Sequence, residues 1–204
     1  MTWITTIPAD AAKGRLEKLY SRIKAPDGSI DNIMMSHSLR PHTMEGHMAL
    51  YKATIHHSGN KIPKSFLETI GVWVSLLNNC SYCVEHHFAG LVRLLKGAPK
   101  TGAIRAALNA QDIAPSPLTF SARESTALTY ARVLTLDPGA VTEAMINDLR
   151  TAGWSDGEIL EINQVTAYFC YANRTVLGLG CNTDGEILGL SPGNSDDPDD
   201  WGHG

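Results

Sequence analysis

Apolar residues recur at spacings of three and four along most of this chain, the period of a helix that buries one face. Leu16, Leu19, Tyr20 and Ile23 form one such stripe over residues 9 to 23. Met44, Met48, Tyr51 and Ile55 form a second over 43 to 57. Phe66, Ile70, Val74 and Leu77 form a third that opens at Pro63 and Ser65 and is interrupted at Asn78-Asn79. Strand alternation is nearly absent. These patterns exclude sheet architectures and predict an all-α protein.

Helix punctuation sets the remaining elements. A fourth helix is expected from about Cys80 to Lys96, stopped by Gly97-Ala98-Pro99. A short helix near 101 to 110 follows. Pro115 and Pro117 break the stretch from Gln111 to Thr119. Ser121 and Glu124 have capping-box spacing and open a helix to about Leu136; Ser155 and Glu158 repeat the pattern and open one to Thr175 or beyond. A helix from the Asp137-Pro138-Gly139 turn to about Thr151 lies between them. The chain divides near 111 to 120 with no long flexible linker, so one compact domain over 1 to 190 is expected. Its motif helices lie at 63 to 96 and its second half at 121 to 180. The stretch 191 to 204, with four Asp and two Pro, reads as a disordered, solvated acidic tail. Such a tail supplies no ordered oxygen cage for a metal ion.

The net charge of −4 and the scattering of the 17 Lys and Arg argue against nucleic-acid or anionic-membrane partners. No apolar run approaches the ~20 residues of a membrane span, and the start shows no signal-peptide pattern. A cytoplasmic protein is expected. Four cysteines are too few for a disulfide scaffold, and no glycine-rich nucleotide motif is present.

The most informative stretch is Asn79-Cys80-Ser81-Tyr82-Cys83-Val84-Glu85-His86-His87. With Asn79 as N-cap, Cys80 falls in the first helical turn. Cys80, Cys83 and His87 then lie within about 60° of one another on the helix, and His86 about 100° away from His87. A thiol reacts as its thiolate, and the unpaired N–H groups of a helix start favour that anion. A histidine one turn on can take the thiol proton, and a second cysteine three residues away can resolve an oxidised first one. Zinc binding by Cys80, Cys83 and His87 would need a fourth ligand, and no second CxxC exists. A pair of buried structural cysteines is the bland alternative. Val84 after Cys83 excludes haem attachment. Glu68 precedes Cys80 by twelve residues. It fits a Ser65–Glu68 capping box and equally a carboxylate that folds back on His87.

Glu68, the Cys80-Ser-Tyr-Cys83 pair and His87 at this spacing resemble the signature of the AhpD-like alkylhydroperoxidase family, within the carboxymuconolactone decarboxylase superfamily. Trp3-Ile4 to Tyr20, Asn32 to His47 with Ser38-Leu39-Arg40-Pro41, and Asn173-Arg174 to Gly180 resemble its peroxidase-related branch. The resemblance implies an all-α fold assembled as a homotrimer or homohexamer. It implies that Cys83 attacks the peroxide, that Cys80 resolves the sulfenic acid into a disulfide, and that Glu68 and His87 relay protons. It implies no bound cofactor, only an external dithiol reductant such as a lipoyl carrier or a thioredoxin-like protein. Founding members carry histidine between the cysteines; this chain has Tyr82, a poor base at neutral pH that suits substrate contact instead.

The expected activity is thus a thiol-dependent peroxidase, an oxidoreductase acting on organic hydroperoxides or hydrogen peroxide. The alternatives are a non-redox decarboxylase- or isomerase-like enzyme on a small acid or lactone, and a non-catalytic redox sensor. Glu158 precedes Cys170 by the same twelve residues, with Asn173 and Leu177 at the places of Cys83 and His87. This suggests a degenerate two-half repeat, testable by superposing 63 to 95 on 153 to 185. His37, His42 and His47, five apart, do not share a helix face and are expected at the surface or in packing, though one of them could line a peroxide pocket. Met34, Met35, Met44 and Met48 are expected in the core or an interface. Cys170 and Cys181 carry no pattern.

Overall fold

A computed structural model describes residues 2–201. Among them the regular structure is helical, as the periodicity requires. The helices are α1 (Arg15–Ile23), α2 (Asn32–Met35), α3 (Pro41–Ile55), α4 (Lys64–Leu77), α5 (Ser81–Leu94), α6 (Lys100–Asn109), α7 (Ala122–Leu136), α8 (Glu143–Thr151) and α9 (Asp156–Leu179). Two of the three predicted capping boxes close: Ser121 with Glu124 on α7, and Ser155 with Glu158 on α9. No helix among these residues is long and apolar enough to cross a membrane.

The centre of the molecule is α4, which is buried almost all round. Leu67, Ile70, Val72, Trp73 and Val74 are fully inaccessible. It packs against α5, α7 and α9, so the halves on either side of the Gln111–Ser121 loop share one core. Gly71 lets α4 and α9 touch: a Cβ there would lie 2.2 Å from the Phe169 ring. Trp73 crosses to α7 and donates its indole N–H to the Leu128 carbonyl at 3.0 Å.

Two expectations are corrected. The stretch from Ser191 does not float free. Buried Lys52 holds it with hydrogen bonds from Nζ to the carbonyls of Gly193 (2.6 Å) and Asp200 (2.8 Å) and to Ser195 Oγ (3.1 Å). Trp201 is buried against Tyr51. One lysine with three well-placed acceptors orders a segment whose composition reads as disordered; residues 202–204 lie outside the described residues. The second half is not an echo of the first. Residues 63 to 95 run helix, turn, helix, whereas Cys170 and Asn173 lie inside the unbroken α9, and Glu158 is spent on capping and on Arg123. The equal spacing reflects no common backbone.

Candidate active site

Asn79 turns the chain between α4 and α5 in the left-handed region, at φ 56°, a conformation that asparagine tolerates better than most residues. Cys80 is therefore the N-cap of α5 and not a first-turn residue, with its N–H on the Ser75 carbonyl at 2.8 Å. Cys83 is the third residue of the helix. The pair stays on one face, as the spacing requires, and both cysteines are free thiols.

Glu68 is not a cap either. The N-cap of α4 is Pro63, two residues earlier than the box predicts, because Pro63 ends the extended approach and the helix starts at Lys64. This puts Glu68 in the second turn, facing α5. Its carboxylate accepts a hydrogen bond from His87 Nδ1 at 2.7 Å, with the two side chains 3% and 14% exposed. Gly90, one turn beyond His87, leaves room for the carboxylate: a Cβ there would sit 3.8 Å from it. With Nδ1 committed to Glu68, the imidazole is fixed in orientation. The ring of Phe169 meets it edge to face at 4.5 Å.

Cys83, His87, Glu68 and Tyr82 line one cavity of about 50 Å3, together with Met34, His47, Tyr51, His86 and Tyr168. A water needs roughly 10–15 Å3 on this measure, so the cavity has room for a few waters or a small polar head group. Cys80 is behind Cys83 and lines a different hollow, about 270 Å3, with Ser81, Val84 and Arg105. The cysteine at the cavity is thus the second of the pair. Among the described residues no three His, Cys, Asp or Glu side chains are grouped as a metal site requires.

The two thiols divide their proton unequally. The hydrogen bond from the Cys83 thiol holds Cys80 below the ordinary thiol range, against the opposing effect of burial. The same contact with Cys80, followed by burial, pushes Cys83 well above it. At rest, then, Cys83 keeps a proton and donates it toward the Cys80 sulfur. Asn173 on α9 lowers the pKa of both thiols, and its side chain is fixed by Ser75 Oγ and Asn78 at 3.0 Å each.

Several residues at the site had no recognised sequence signal. Tyr51 and Tyr168 stack at 5.5 Å across the cavity wall, and burial raises the pKa of both well above the ordinary phenol range. His47, one of the five-spaced histidines, accompanies them at 3.2 Å from the Tyr168 hydroxyl; burial lowers it to about 3, so it is neutral. His37 contacts Thr43, and His42 is exposed. Met44 and Met48 are core residues, whereas Met34 reaches the cavity. Cys181 is buried, and burial raises its thiol to about 11, an inert position; Cys170 lies near Asn78. Tyr82, expected to contact substrate, faces the cavity but spends its hydroxyl on Glu186, at 3.2 Å. Glu186 arrives from the segment after α9, more than a hundred residues away.

Solved proteins share this architecture over most of the chain. A peroxidase-related protein from Ralstonia eutropha JMP134, described as an alkylhydroperoxidase AhpD core, superposes with a TM-score of 0.76 at 21% identity, over 89% of this chain and 91% of that one. A peroxidase-related protein from Silicibacter sp. TM1040 gives 0.74 at 25% identity, with the same coverage of 89% and 91%. A cysteine-to-alanine variant of the debrominase Bmp8, in complex with 2,3,4-tribromopyrrole, gives 0.64 at 16% identity over 91% and 95%. No protein-family model matches the sequence, and no curated protein does.

Proposed function

We propose, for a chain with the AhpD-like helical fold and neighbours that support the AhpD-like family, that it is a thiol-dependent peroxidase. The fold alone does not select this reaction, since a debrominase also carries it. The observation that supports it is local: Cys83 and a His87 held by Glu68 line one small cavity, with a second thiol hydrogen-bonded behind the first.

The chemistry follows from that arrangement. A peroxide ROOH enters the cavity with its O–O end at Cys83. His87 takes the Cys83 proton as the substrate arrives, and the Glu68 carboxylate stabilises the resulting imidazolium. The need for this base is acute, because burial and Cys80 keep Cys83 protonated at rest. The Cys83 sulfur attacks the distal oxygen; the S–O bond forms, the O–O bond breaks, and the alkoxide takes a proton and leaves as ROH. The sulfur of Cys80, which has the lower pKa of the pair, then attacks Cys83–SOH. A disulfide forms, and the departing hydroxide takes the proton from His87 and leaves as water. Two thiol hydrogens and two electrons have reduced one peroxide. Turnover requires an external dithiol, a lipoyl carrier or a thioredoxin-like protein in this reading. The hollow lined by Cys80 is its approach, separate from that of the peroxide. The size of the cavity suits hydrogen peroxide or the hydroperoxyl end of an organic hydroperoxide. A homotrimer or homohexamer in the cytoplasm completes the proposal.

The test separates the two sulfurs. Reduced protein is given one equivalent of an organic hydroperoxide and the products are mapped by mass. The parent should consume it with a Cys80–Cys83 disulfide, Cys80→Ser should stop at a trappable sulfenic acid on Cys83, and Cys83→Ser should be inert. Sulfenylation of Cys80 in Cys83→Ser at the parent rate would reverse the assignment. Intact thiols in folded parent protein would sink the peroxidase, and turnover of a small acid or lactone after loss of both thiols would favour the acid–base alternative.

A further inference from the structure

Beside the cavity lies a second histidine–carboxylate pair, whose histidine comes from the same helix as the first. His86 neighbours His87 in sequence but points about 100° away around α5, toward the segment that follows α9. There its Nε2 meets the Glu186 carboxylate in a short ion pair, with the two side chains 10% and 2% exposed. Glu186 is held by more than this contact. It accepts the Asn32 backbone N–H at 2.5 Å and the Tyr82 hydroxyl at 3.2 Å, and Tyr82 in turn accepts the Ile33 N–H at 3.3 Å. Asn32 also ties the segment down through its side-chain amide, to the carbonyls of Asn182 (2.7 Å) and Asp184 (3.2 Å). Asp31 is close enough to act on both members of the pair. His86 lies against the Tyr82 ring at 4.6 Å, tilted by 34°. It lines the same cavity as Cys83; Glu186 does not. Among the described residues no hydrogen bond takes its second ring nitrogen.

A buried imidazole and a buried carboxylate are costly to keep unless they share a proton. Here that proton is kept at the wall of the cavity that the thiol and its base also line. The peroxide reaction needs two proton movements in the cavity at nearly the same moment, one off the thiol and one onto the leaving oxygen. His87 cannot supply the second while it is receiving the first.

We propose that His86 is the proton donor to the leaving oxygen, with Glu186 as the residue that positions and recharges it. The inference rests on the peroxide reading above. When the Cys83 sulfur bonds to the distal oxygen and the O–O bond breaks, the proton on His86 passes to RO−, giving ROH and a neutral imidazole. His87 keeps the thiol proton and returns it to the hydroxide that Cys80 later displaces. The proton released by the Cys80 thiol reaches His86 through solvent, so the cycle closes with no net gain or loss. Glu186 does not touch the substrate; its carboxylate fixes the ring.

The experiment reads only the first step, using Cys80→Ser protein and the rate of sulfenic acid formation on Cys83. Two oxidants are compared. An alkyl hydroperoxide expels an alkoxide, a strong base that must be protonated. A percarboxylic acid expels a carboxylate, which leaves without help. With His86→Gln added, the alkyl hydroperoxide rate should fall by about 10² or more, the scale of a lost general acid, and the percarboxylic acid rate by less than about tenfold. Glu186→Gln should shift the same ratio in the same direction by a smaller factor. A purely structural role for His86 slows both oxidants by one factor, and that result, or no change with either, overturns the proposal. If circular dichroism shows that His86→Gln does not fold, Glu186→Gln, which keeps the size and the hydrogen-bonding atoms, carries the test with the same two outcomes. A Cys80→Ser protein inert to both oxidants refutes the peroxide reading and this proposal with it. A reactive one with an unchanged ratio in the variants refutes this proposal alone.

Discussion

Replacing Glu68 by Gln isolates the charge behind His87. The carboxylate receives the His87 Nδ1–H at 2.7 Å and is 3% exposed, so solvent does little to replace it. Gln has nearly the same volume, and its amide oxygen can still accept that N–H, so ring orientation and tautomer survive. The space in front of Gly90, where a Cβ would stand 3.8 Å away, admits the amide without a clash. What is lost is the ionic part of the hydrogen bond when His87 becomes an imidazolium. Hydrogen bonds to charged groups are worth about 1.5–3 kcal/mol and neutral ones about 0.5–1.5 kcal/mol. The difference, about 1–2 kcal/mol, should slow proton removal from Cys83 by roughly 5- to 30-fold. The assay is single-turnover sulfenylation of Cys83 in the Cys80→Ser background, followed by trapping and intact mass. Thermal melting is run in parallel. Because a buried charge has become a buried amide, stability should hold or rise while the rate falls. A rate equal to the parent's in a folded variant would refute the relay. A rate that falls only in proportion to lost fold would reduce Glu68 to packing.

Two further outcomes follow from the same structure. Gly71→Ala places a methyl 2.2 Å from a fully buried Phe169, which packs on His87, so it should cost about 1–3 kcal/mol and lower Tm by roughly 3–10 °C, with peroxide reactivity falling as well; an unchanged melt would mean that α4 and α9 do not meet there. Burial raises Asp31 to about 6. The native state therefore holds this proton more tightly than the unfolded chain, and Asp31 makes stability decline as pH rises from about 4 to about 6, by up to about 3 kcal/mol. Asp31→Asn should remove that decline, and identical pH–stability curves for parent and variant would disprove it.

The sequence by itself determined the helices and the shared face of the cysteine pair, because both are local. Apolar spacing, two capping boxes and the Gly and Pro stops set the element order. The three-residue step from Cys80 to Cys83 and the four-residue step to His87 set their common face before any packing is known. The ends of elements were read less well. The box at Ser65–Glu68 looked like a start, but Pro63 took that role and freed Glu68 for His87. Asn79 looked like a cap, but left-handed backbone moved the cap to Cys80.

Only the tertiary structure decided which sulfur faces the cavity, because this depends on what α9 and α3 bring to α5. Asn173, Tyr168, Tyr51 and His47 come from helices whose own periodicity says only that they are buried. The disordered reading of the acidic tail failed for a related reason: composition counts charges in the segment and cannot see Lys52 waiting for its carbonyls more than a hundred residues away. Glu186 is the extreme case. It sits in a stretch with no motif, and it matters because α2 and α5 present an N–H, a phenol and an imidazole at the point where its carboxylate arrives. Local chemistry is written in spacing. The partners of a buried charge are set by chain crossings, and those exist only once the helices have packed.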